Sequence, residues 1–149
     1  AAGRTPRFLK QLALNALGRT PPLNWLGRID TDPAGRIDAK LQGTALWVDA
    51  ARIYALAHGI GATNTRERLL AVGPALGVAR EEYEGWIVGF EFLQTVRLRQ
   101  QLGTDAAPAA EHPNHITVAL LNDIDRRILR EALQAARSLQ QRLRLDYER

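Results

Sequence analysis

The chain has 149 residues, the length of one ordinary domain, and 46% of them are hydrophobic while 24% are charged, so it can bury a core of its own. Cysteine is absent, which excludes a disulfide framework, a thiolate zinc site and a cysteine nucleophile, and no apolar run approaches the roughly 18 residues of a membrane span. The formal charge is +4, but the arginines are interleaved with acids, as in Arg80-Glu81-Glu82 and Asp123-Ile124-Asp125-Arg126-Arg127, a pattern of solvated helix faces rather than of a nucleic-acid stripe.

Proline and glycine punctuation divides the sequence into about five helical segments. The first is predicted from about Pro6 to Leu17, with Phe8, Leu9, Leu12 and Ala16 on one face and a stop at Gly18 before Pro21-Pro22. Between Leu23 and Lys40, the turn signature Asp32-Pro33-Ala34-Gly35 separates Trp25 and Ile29 from Ile37, and two short strands forming a hairpin are expected there. A second helix is predicted from about Gln42 to His58, with Leu46, Ala50, Ile53 and Ala57 at helical spacing and Gly59 as a left-handed stop. The third is short, with Asn64 and Glu67 as a capping box and Gly73-Pro74 as its end.

The fourth, about Ala79 to Leu102, carries Tyr83, Trp86, Phe90 and Leu93 on one face. Gly103 to Ala119 reads as an alanine- and proline-rich loop. The fifth, about Asn122 to Tyr147, repeats Leu121, Ile124, Ile128, Ala132, Ala135, Leu139 and Leu143, and at 1.5 Å per residue it spans roughly 39 Å. These segments specify an all-α fold, an antiparallel bundle of four to five helices with a short N-terminal β-hairpin or extended segment. The whole of 1–149 is read as a single helical domain. No signal-peptide pattern opens it, so a cytoplasmic location off the membrane is expected. Methionine is missing even at position 1, so the domain is expected to be the C-terminal fragment of a larger multidomain protein.

Candidate functional residues interrupt the helix faces. The stripe of the fourth helix continues through Arg97 to Gln101, and Asp49 and Arg52 are three apart on the second. If the two helices are neighbours, these four form one polar network, serving either to fix helix register or to receive an anion. Asp30-Thr31-Asp32 begins like a calcium loop, but Ala34 and Leu41 stand where two ligands belong. The same acidic pair lacks the upstream Gly-Ser phosphate turn of a nucleotidyltransferase metal site. His112 and His115 have no carboxylate at ligand spacing, and no nucleophile elbow, P-loop or dinucleotide fingerprint is present. Arg52 followed six positions later by His58 resembles the loose signature of HEPN-type ribonucleases, which cleave RNA at a dimer interface. A histidine at a helix C-terminus also serves as a partner of the helix dipole.

A wider resemblance runs from about Phe8 to Tyr147. Ile37-Asp38-Ala39-Lys40, Ala51-Arg52-Ile53, Thr65-x-x-Arg68-Leu69, Arg97-Leu98-x-x-Gln101-Leu102, Pro113-Asn114-x-Ile116 and Leu139-Gln140 together are similar to the nucleotidyltransferase substrate-binding domain, also called the DUF294 C-terminal domain. The resemblance implies a non-catalytic module of a bacterial signal-transduction protein. Its upstream partners in the same polypeptide would be CBS domains and a nucleotidyltransferase domain similar to PII uridylyltransferase and glutamine-synthetase adenylyltransferase. No cofactor is expected in this chain itself, whereas the parent enzyme would use Mg2+ and a nucleoside triphosphate and could act on a protein acceptor.

Asp38, Lys40, Arg52, Thr65, Arg68, Arg97, Gln101 and Asn114 match recurring family positions and, with Asp49, form the expected substrate-binding set. Ala39 departs mildly from the usual larger hydrophobic residue, and His58 is not carried over from the family. Two other functions stand beside this one: a helical interaction module that homodimerises through a face such as that of Phe90 and Leu93, and the ribonuclease using Arg52 and His58.

Overall fold

Pro6, with its fixed φ, leads into the first helix, α1 (Arg7–Leu17), which buries Leu9, Ala13 and Ala16 while Phe8 is left largely exposed. In the computed structural model, which describes residues 6–102 and 113–148, four more helices follow: α2 (Ala45–Ala57), α3 (Thr65–Ala75), α4 (Arg80–Leu102) and α5 (Asp123–Tyr147). The all-α bundle read from the sequence is the fold observed. His112 and residues 103–112 of the expected loop lie outside the described residues.

α2 is the central element, in contact with α1, α3 and α5. Its sequence explains this position: Trp47, Ala50, Ala51 and Tyr54 are fully buried, so a broad arc of the helix is covered. α4 packs along α5, and Gly89 is the point of close approach. A Cβ at that position would stand 3.2 Å from Ala132 Cα and 3.1 Å from Trp47 Cζ2, so any larger residue would push the helices or the indole apart by a few tenths of an ångström. Trp47 and Phe90 pack at 6.1 Å between ring centroids.

The small β element differs from the expected local hairpin. Within 23–40, only Leu23 and Ile29 bridge, closing the turn at 24–28. The strand β1 (Arg36–Asp38) pairs antiparallel with β2 (His115–Thr117), putting Ile37 opposite Ile116, both buried. β1's partner therefore comes from a stretch read as loop. The reason is that Ile37 and Ile116 complete one apolar patch over the bundle, a long-range fit with no local signature.

Two helix details also depart from expectation. α3 runs through Gly73-Pro74 and ends at Ala75, with Gly77 at φ 69° just beyond. Pro74 has no N–H to give the Leu70 carbonyl, and the helix ends one residue later. On α5 the buried face is Leu129, Leu133, Ala136, Leu139 and Leu143, whereas Ile124 is exposed and Ile128 only half-buried. Ala132, Leu139 and Leu143 of the expected stripe are buried as read, and only in the first turns does packing on α4 and α1 turn Leu129 and Leu133 inward in place of Ile124 and Ile128.

Candidate functional site

The start of α3 is set by chemistry already visible in the sequence. Asn64 Oδ1 accepts the Glu67 amide at 2.9 Å, which caps the helix and leaves Thr65 and Arg66 on its first turn. The unpaired amides of such a turn, with the helix dipole, favour a nearby negative charge. α2 and α4 flank this end, and a cleft of about 420 Å³ opens between them. Its walls are Arg52 and Val48 from α2, Thr63 to Arg66 and Arg68 from the α3 end, and Phe90 and Gln94 from α4.

Three residues of the expected set, Arg52, Thr65 and Arg68, are thereby brought together. Arg68 Nε donates to the Ala62 carbonyl at 2.9 Å, which fixes the guanidinium. Arg66 is held by Glu91 on α4. Arg52 is exposed and has no ion-pair partner among the described residues. Val48 and Phe90 give the cleft an apolar wall, so cationic and apolar groups face the same space.

Asp49 lies on the other side of Arg52, where a smaller cavity of about 190 Å³ is lined by Asp49, Arg52, Asn15 and Arg19. No ion pair joins Asp49 to Arg52. The network linking Arg52 and Asp49 with Arg97 and Gln101 is not formed. Arg97 instead donates from Nη1 to Thr44 Oγ1 at 3.0 Å and from Nη2 to Asn114 Oδ1 at 2.9 Å. It links α4 to the turn before α2 and to the approach to β2. Gln101 is exposed near the end of α4.

Asp38 is engaged in folding the backbone. Its Oδ1 accepts the amides of Lys40 and Leu41, at 3.0 and 2.8 Å, while its own amide donates to Gln42 Oε1 at 3.0 Å. This reciprocal cap starts a single π-helical turn, Lys40–Thr44, that leads directly into α2. Lys40 is exposed on that turn. The expected set thus divides into a cleft group (Arg52, Thr65, Arg68), a neighbour (Asp49), two structural groups (Arg97 with Asn114, and Asp38) and two exposed residues (Lys40, Gln101).

The calcium-like turn is also closed by protein groups. Asp32 Oδ1 accepts the amides of Ala34 and Arg36, both at 2.9 Å, and Arg36 Nε reaches Oδ2 at 3.3 Å. The backbone amide of Arg36, assisted by its guanidinium, holds the Asp32 carboxyl below the usual range. Among the described residues, no cluster of three or more His, Asp or Glu side chains is arranged to hold a metal ion. None of their helices is long and apolar enough to cross a membrane.

His58 caps the C-terminus of α2 and packs tilted against Tyr54, 6.4 Å between ring centroids. Six positions along a helix place it about 120° around the axis from Arg52. Sequence reasoning missed the cleft residues Asn64, as more than a cap, and Gln94; a polar residue one turn before Arg97 on the same helix was the available signal.

A family model described as "Putative nucleotidyltransferase substrate binding domain" matches residues 6–147, nearly the whole chain. No curated protein and no solved structure matches it.

Proposed function

From the premise that this chain belongs to the nucleotidyltransferase substrate binding domain family, we propose that the cleft of Arg52, Thr65 and Arg68 receives the anionic part of a nucleotidyl-transfer substrate. The observation that carries the reading is the convergence of two guanidinium groups with the capped N-terminus of α3 beside an apolar wall. A phosphate or carboxylate entering there meets bidentate donors and helix amides together, while Val48 and Phe90 accept its apolar portion.

The domain's contribution is positioning. Nucleotidyl transfer needs metal-bound carboxylates and a phosphate-cradling turn, supplied in this reading, with Mg2+ and the triphosphate, by a catalytic domain of the same bacterial signalling polypeptide. Holding the acceptor or the nucleotide at a fixed angle to that centre raises the rate by removing orientational freedom.

The test is labelled nucleotide transfer by the full-length polypeptide carrying Arg52→Ala. The exposed side chain has no ion pair or side-chain hydrogen bond among the described residues, so the melting temperature should stay unchanged while transfer falls by about tenfold or more. Transfer at the wild-type rate would remove the cleft from the reaction.

A further inference from the structure

A second cationic feature shares no residue with that cleft. The start of α5 carries Arg126, Arg127 and Arg130 within little more than one turn, and the turn at 24–28 brings Arg28 against them. Together they line a groove of about 390 Å³ whose apolar part is Ile29 and Val118, and no carboxylate is among its lining groups.

The groove is built rather than incidental. Asn24 Oδ1 accepts the amides of Leu26 and Arg28, at 2.9 and 3.0 Å, and the Asn24 amide donates to the Arg28 carbonyl at 2.8 Å. The closed turn is then fastened to α5 itself. Gln134 Nε2 donates to the Gly27 carbonyl at 3.1 Å, and Arg137 Nη1 to that of Asn24 at 3.3 Å. Arg28 is therefore held beside the α5 arginines by a turn that three hydrogen bonds close and two fasten to α5.

Four like charges in so small a space repel one another unless something neutralises them. Arg126 has a partner in Asp123, but Arg28, Arg127 and Arg130 have no ion-pair partner among the described residues. A compact polyanion relieves that repulsion and offers planar guanidinium groups the paired oxygens they bind best. Dispersed carboxylates on a protein face match the small groove less well than adjacent phosphoryl groups do.

We propose that this groove is an oligophosphate-binding site, separate from the substrate cleft. The ligand chemistry is two or more linked phosphoryl groups, either free or carried by a nucleoside. Trp25 lies on the same closed turn as Arg28 and is 88% exposed, whereas Trp47 and Trp86 are buried, so one exposed indole shares the turn that carries Arg28.

The experiment is calorimetric titration of the 149-residue chain with tripolyphosphate and, separately, with a nucleoside triphosphate, at low salt, followed by Trp25 emission. The double variant Arg127→Gln, Arg130→Gln should weaken binding at one site by about tenfold or more, since each lost charged hydrogen-bonding group is worth that much. Both side chains are exposed, and circular dichroism checks that the variant folds. Arg130→Lys, which keeps the charge but not the fork, should fall between.

If the substrate cleft also takes the probe, the stoichiometry is two. Arg127→Gln with Arg130→Gln then removes one site, and Arg52→Gln with Arg68→Gln the other, so the two readings fail separately. Equal affinity for both probes identifies the phosphate chain as the whole ligand. Tighter nucleotide binding with a Trp25 change adds the nucleoside to it. No binding of either probe, binding indifferent to the α5 substitutions, or a single-stranded oligonucleotide outcompeting tripolyphosphate would each overturn the proposal.

Discussion

Arg97 and Asn114 meet side chain to side chain, Nη2 to Oδ1 at 2.9 Å, while the Asn114 carbonyl accepts the Ala39 amide at 2.8 Å. One residue thus joins α4 to the β1 edge. The other arm of the same guanidinium, on Thr44, holds the entry to α2.

Arg97→Ala should therefore destabilise the fold, by about 2–3 kcal/mol, because two oxygens lose a charged donor at once. Arg97→Lys, a point charge without the fork, should recover only part of it. Urea melts of the isolated chain measure both. A variant that melts like the wild type yet loses nucleotide transfer would instead put Arg97 at the substrate.

Gly73 is fixed by a neighbour rather than by its backbone angles. A Cβ there would stand 2.3 Å from Tyr83 Cγ, far inside contact distance, so the ring lies directly on the α3 backbone. Gly73→Ala should cost about 1–3 kcal/mol through overpacking, despite alanine's better helix propensity. Adding Tyr83→Ala removes the clash, and the double variant should melt higher than the sum of the two single losses predicts.

Tyr54 links α2 to the end of α5, its hydroxyl donating to Asp146 Oδ2 at 2.6 Å, with Tyr147 packed at 5.5 Å. Burial first, then the hydrogen bond and the charge of Asp146, push the Tyr54 hydroxyl well above its ordinary range. The folded chain binds that proton more tightly than the unfolded one. The stabilisation is thus complete below the free tyrosine pKa of about 10 and declines as pH rises past it. Melts between about pH 8 and 11 should show a steeper alkaline loss for the wild type than for Tyr54→Phe. At neutral pH the variant should be about 1–2 kcal/mol less stable, since Asp146 loses its donor. Parallel alkaline slopes would show that this proton is not the one controlling stability.

Local signals carried far in this chain. The Asn64–Glu67 cap, the stop at Gly59 with φ 65° and the span of α4 all follow from residues within one or two turns. Where a feature depends on distant partners, the sequence is silent. The pairing of Ile37 with Ile116 is one case; the choice of Leu129 and Leu133 over Ile128 as inward residues of α5 is another. Gln140 is buried on that face because its amide donates to the Arg19 carbonyl at 2.7 Å, and periodicity in hydrophobicity cannot register such a position.

The same division holds for function. Arg52 stands out in one dimension beside Asp49, and Thr65 and Arg68 through the family pattern Thr65-x-x-Arg68-Leu69, and the fold brings the three together. Arg97 stands out equally, yet its polar contacts are internal. Arg126 and Arg127, interleaved with acids, read in one dimension as a solvated face, and only the folded turn at 24–28 brings Arg28 to the α5 arginines.

The last helix closes nearly everything. α5 covers α4, α1 and α2, receives Tyr54 at Asp146, and secures the Asn24 turn, while β2 just before it completes β1. A ribosome delivers these pieces in the opposite order to that in which they are needed. Until residues past 115 emerge, Trp47, Trp86 and Leu93 lack their cover, and the nascent chain presents an open apolar trough to any chaperone within reach. Folding of this domain therefore waits for α5, and a stop before it yields a polypeptide with a core but no lid, fit for degradation rather than for partial activity.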